Sequence, residues 1–76
     1  MCRAVEGDLQ RAVGHNLRAY RIARGLSQEA FAEVLSVHRT YMGGIERGER
    51  NLTLQSVERI AAKLELDPRE LLSLPD

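Results

Sequence analysis

The chain has 76 residues, 43% hydrophobic and 29% charged, enough apolar material for one small core and too much for a disordered segment. A second domain is excluded at this length, so residues 1–76 are read as one domain. Eleven basic residues balance eleven acidic ones, which excludes a protein that coats nucleic acid through net charge but leaves room for a local basic face. The single cysteine, Cys2, has no partner for a disulfide or a thiol metal site, and the reducing cytoplasm fits it best. The apolar runs are too short for a secretory signal or a membrane span.

The pattern of apolar residues is helical throughout, with helices expected at about 9–24, 28–35, 39–47, 54–64 and 68–73. Asp8 is placed as the first N-cap, after which Leu9, Val13, Leu17 and Tyr20 recur at steps of four, four and three and form one stripe. Gly25 stops that helix. Ser27 caps the second, with Glu29 in its first turn and Phe31 and Leu35 on its buried face. After Ser36-Val37 the third helix points Met42 and Ile45 inward and ends at Gly48. Thr53 caps the fourth, whose core side carries Leu54, Val57, Ile60, Ala61 and Leu64. Asp67-Pro68-Arg69-Glu70 opens the fifth as a capping box with proline in the first helical position.

A second helix joined to a third by so tight a turn crosses it steeply and needs a small residue at the contact, a role given to Ala32. With Met42 and Ile45 packed down, the opposite flank of the third helix presents Arg39, Thr40, Gly43, Gly44 and Arg47. Two adjacent glycines inside a helix cost roughly 1.5–2 kcal/mol relative to alanine, which something must offset. Close approach to a ligand backbone is the reading adopted for Gly44, while for Gly43 helix packing and an early helix end stand equally open.

Gly25-Leu26-Ser27-Gln28-Glu29-Ala30-Phe31-Ala32 and Ile45-Glu46-Arg47-Gly48 resemble the lambda-repressor-like (Cro/CI, XRE) helix-turn-helix family, collinearly from about Val13 to Leu72. Within it, His38-Arg39-Thr40-Tyr41 and the stretch from Arg47 to Leu54 are most similar to the small controller proteins of restriction–modification systems. The resemblance implies an all-α, compact five-helix DNA-binding domain whose third helix enters the major groove, as a homodimer on a near-palindromic double-stranded DNA operator. Two positions depart from the family pattern: Ser36 stands where the turn usually has glycine, at about 1–2 kcal/mol if it is left-handed, and Glu65 stands at a helix end where glycine is common.

By the same resemblance Arg39 and Thr40 fall where relatives read base edges, and their chemistry permits it: arginine grips guanine O6 and N7, and threonine touches a thymine methyl. Tyr41 joins them through its hydroxyl, the alternative being a ring buried beside Met42, and Gly44 lets the backbone close on the bases. Gln28 braces the DNA backbone and the reading residues. Ser27, His38, Arg47, Arg50 and Asn51 complete the phosphate contacts, with capping the competing role for Ser27 and His38 and plain surface charge for the arginines. Glu46 lies near the negative end of the third helix and needs a partner, which the resemblance supplies in Arg21.

Residues 9–50 hold seven arginines against four acids, whereas residues 51–76 hold three basic groups against five acids, so DNA is expected on the first part and a protein on the second. Leu66, Leu71, Leu72 and Leu74 offer more apolar surface than a thin last helix covers, and an isologous dimer would bury it. RNA polymerase is a further candidate partner. No catalytic group, metal-ligand cluster, cofactor motif or small-molecule site is recognised, since no carboxylate pair, Cys–His pair or phosphate-cradling glycine loop has the spacing required. The competing function is a protein-binding adaptor or antitoxin-type module of the same fold.

Overall fold

Five helices follow one another in the computed structural model, which describes residues 6–74: α1 (Asp8–Ala23), α2 (Gln28–Leu35), α3 (Arg39–Glu46), α4 (Leu54–Leu64) and α5 (Pro68–Leu72). Cys2 lies outside the described residues. Side-chain caps start four of them: Ser27 accepts from the Ala30 N–H at 3.0 Å, His38 from Thr40, Thr53 from Ser56 at 3.0 Å, and Asp67 closes a full capping box with Glu70. α1 differs from expectation. Gly7, with φ of 92°, occupies its N-cap position without any side-chain cap, and Asp8 is the first helical residue, ion-paired one turn on to Arg11.

Each of α1 to α4 closes at its C-terminus with a backbone bond spanning five residues, Leu26 to Arg21, Val37 to Ala32, Glu49 to Gly44 and Leu66 to Ala61. That closure demands a left-handed residue, supplied by Gly25 and Gly48 in two cases and by Ser36 and Glu65, both at φ 57°, in the others. Both departures from the family pattern are thus strained backbone positions, held by the packing around them.

Phe31, Leu17, Leu35, Met42, Ile45 and Leu71 are at most 1% exposed and centre the core, which Val13 and the inner face of α4 complete. Burial on this scale is the main source of stability, at about 1.5–3 kcal/mol for each large apolar side chain. α1 packs on α3 and α5, and α2 on α3. At the α1–α3 crossing a Cβ on Gly14 would stand 2.2 Å from the Ile45 carbonyl oxygen, so the two backbones touch and fix the C-terminal end of α3 against α1. The amide of Asn16 ties α5 back to α1 by donating to the carbonyls of Glu70, Leu71 and Ser73.

Three of the expected positions differ. Leu9 is 47% and Leu54 72% exposed, because each sits in the first turn of its helix, where the apolar stripe runs on past the covering element. With Leu52 and Leu72 they line a shallow apolar groove instead. Leu71, expected at a dimer interface, is 1% exposed within the chain's own core and is unavailable to a partner; Leu66, Leu72 and Leu74 remain half-buried.

Candidate nucleic-acid interface

The site is built on α2, its turn and α3, and α1 locks it. Arg21 on α1 donates through Nε to Glu46 Oε2 at 2.8 Å and through Nη2 to Oε1 at 3.0 Å, while its Nη1 reaches the Leu26 carbonyl at 2.9 Å. Gln28, the first residue of α2, donates its amide to Glu46 Oε1 at 3.1 Å. One carboxylate therefore gathers α1, the α1–α2 turn, α2 and the end of α3. The Glu46 side chain is only 3% exposed and that of Arg21 14%, and donating to the Glu46 carboxylate holds the guanidinium above its ordinary pKa. Geometry of this bidentate kind makes breaking the pair far costlier than its surface counterparts.

The opposite flank of α3 faces outward. Arg39 and Thr40 are exposed in its first turn, and Arg39 lies 3.9 Å from Glu29, a loose pair with both side chains more than half exposed that water and salt screen. His38 caps the helix by accepting from the Thr40 N–H through Nδ1 at 3.1 Å. Arg47, exposed at the far end, donates to Glu49 at 3.1 Å. Gly43 and Gly44 are buried within this flank beneath side chains: a Cβ on Gly43 would stand 3.1 Å from Arg47 Nη1, and one on Gly44 2.9 Å from Arg50 Nε. Arg50 also lies over the half-buried Tyr41 ring, 5.1 Å from its centroid. Arg47 and Arg50 thus cover the backbone that the glycine pair would lay bare. Asn51 is exposed beside it.

Four contributions escape sequence reasoning. Gln10 on α1 holds the Arg50 carbonyl at 2.9 Å and so fixes the loop after α3, Gly14 sets the α1–α3 approach, Asn16 secures α5, and Lys63 donates to the Leu35 carbonyl at 2.6 Å at the end of α2. Their partners are 28 or more positions away, and no local spacing signals them. Among the described residues no three His, Cys, Asp or Glu side chains gather as metal ligands, and no helix is long and apolar enough to cross a membrane.

A short helix, a tight turn and a second helix locked from behind with one polar, arginine-bearing flank outward define a helix-turn-helix DNA-binding domain. The chain belongs to the HTH_3 family of transcription regulators, whose model, described as helix-turn-helix, matches residues 17–71. It is similar to control protein C.SmaI of Serratia marcescens, 41% identical over 66 residues that make up 87% of this chain and 79% of that protein. Control protein C.BamHI of Bacillus amyloliquefaciens is 40% identical over 60 residues, 78% of this chain and 74% of that one. The crystal structure of the restriction–modification controller protein C.AhdI from Aeromonas hydrophila superposes with a TM-score of 0.70 at 44% identity, covering 82% of this chain and 94% of the other.

Proposed function

We propose that this regulator binds a near-palindromic operator as a homodimer, laying α3 in the major groove, and that it controls a restriction–modification system as its relatives' names describe them. The observation that carries the proposal is the lock from Arg21 and Gln28 onto Glu46, which fixes α3 from behind while Arg39, Thr40 and Arg47 stay exposed in front. Arg39 and Thr40 read base edges, with Tyr41 beside them. Ser27 and Gln28 at the start of α2, His38 at the start of α3, and Arg47, Arg50 and Asn51 after it hold phosphates on either side. Gly44 comes close to the bases once Arg50 swings from its backbone to a phosphate.

A second copy covers the half-buried Leu66, Leu72 and Leu74 together with the groove of Leu9 and Leu54, which would set two α3 helices about one DNA turn, roughly 34 Å, apart. RNA polymerase is the further partner of such a regulator, and the cytoplasm its place. Selection of bound duplexes from a random library at fixed salt, followed by footprinting, tests this. Two inverted half-sites about one turn apart are expected, with affinity falling steeply as salt rises. A protein-docking module of the same fold would instead enrich no sequence and show no steep salt dependence.

A further inference from the structure

A cleft of about 210 Å³ opens between the α2–α3 turn and α4, walled by Ser36 and Tyr41 on one side and Ser56, Arg59 and Lys63 on the other. Its volume is below the roughly 300–1,000 Å³ that enclose a drug-sized ligand, so it suits one group of a larger partner. No acid lines it. Arg59 makes no ion pair or hydrogen bond with another described residue, leaving all its donors unused. Lys63 spends one donor on the Leu35 carbonyl, which fixes its ammonium at the cleft with two more N–H groups free. The Ser56 hydroxyl accepts from Thr53 at 2.9 Å and keeps its own proton to donate. Two cations and three hydroxyls around a small opening are the chemistry of a phosphate cradle.

Its position says whose phosphate. At roughly 3.6 residues per turn, Arg39 and Tyr41 lie on opposite edges of the α3 flank centred on Thr40. The Arg39 edge runs beside Gln28, which stands 3.7 Å from the Gly43 Cβ position, and the Tyr41 edge opens onto the cleft. A major groove about 12 Å wide admits one helix of about 10–12 Å diameter, so the phosphates of one strand pass along each edge. We infer that Arg59, with Ser56 and Lys63, clamps a phosphodiester of the strand on the Tyr41 side, opposite the strand held at the start of α2. The inference rests on the duplex-binding function proposed above, and it gives a DNA contact to α4, in the half of the chain whose net charge is negative.

Arg59→Ala tests it in titrations of the selected duplex against salt. Losing one neutralised phosphate lowers the salt slope by roughly 0.9 and the affinity about fivefold at 0.15 M salt, with counterion release as the basis. The ranking of single-base-pair variants stays as in wild type, and so does the melting midpoint, because Arg59 is exposed. A wild-type slope and affinity in the variant overturn the inference while leaving duplex binding by α3 intact, and so does a loss confined to particular base pairs. Saturable binding of free inorganic phosphate at Arg59, with duplex affinity unaffected by the substitution, overturns it in favour of a small-anion site. Absence of salt-dependent duplex binding by the wild-type protein overturns both proposals together.

Discussion

Replacing Arg21 by alanine strips Glu46 of two charge-assisted hydrogen bonds and the Leu26 carbonyl of one, leaving a carboxylate that is 3% exposed in the intact pair with only the Gln28 amide for company. Removing one member of a buried pair costs about 3–5 kcal/mol, most of it the uncompensated charge left behind. A chain of this size has about 4–11 kcal/mol of stability in total. At about 4–8 °C for each kcal/mol in so small a domain, Arg21→Ala lowers Tm by at least about 12 °C. Glu46→Ala costs less, since Arg21, at 14% exposure, rehydrates at its rim and keeps its bond to Leu26. Arg21→Met combined with Glu46→Leu recovers most of the loss, because an apolar pair has no charge to strand. Melts followed by circular dichroism, with urea titration for the free energies, measure all four proteins. A fall of less than about 1 kcal/mol for Arg21→Ala, the scale of an exposed pair, would refute the lock.

Gly14→Ala forces a methyl onto the Ile45 carbonyl and, because the obstacle is backbone, costs about 2–3 kcal/mol; an unchanged midpoint would show that α1 and α3 do not touch there. Ser36→Gly and Glu65→Gly each relieve a left-handed residue and raise stability by about 0.5–1 kcal/mol after glycine's greater unfolded-state entropy is subtracted, which urea titration reads directly. Asp67 is drawn down to about 2 by the Arg69 guanidinium and N–H, from an ordinary 3.8. Its folded pKa is the lower one, so its contribution is complete above about 3.8 and vanishes as pH falls through about 2. The difference in midpoint between wild type and Asp67→Asn therefore narrows over that range, and a gap that persisted below it would contradict the assignment.

Helix positions and most caps are legible in the sequence because their causes are local. Ser27, Thr53 and the Asp67-Pro68-Arg69-Glu70 box each act on N–H groups two or three residues away. A carboxylate at the unfavourable end of α3 announces its need for a cation. Tertiary surroundings are less legible. Periodicity gives the direction in which Leu9, Leu54 and Leu71 point but not whether a neighbouring element lies there, so two turned out exposed and one buried. The bare flank expected at Gly43-Gly44 is filled by Arg47 and Arg50, whose long side chains fold back along their own helix end. Half-chain net charge likewise conceals how the fold sets Arg59 and Lys63 beside Tyr41.

The outward flank of α3 as a reader of base pairs is tested most directly by comparing Arg39→Ala with Arg47→Ala on the selected duplex and its single-base-pair variants, each across a range of salt. Arg39→Ala should cost about 1–3 kcal/mol and relax preference at one base pair of each half-site, whereas Arg47→Ala should weaken every duplex alike and reduce the salt slope by about one. Identical losses from the two substitutions on every sequence would contradict base reading by α3.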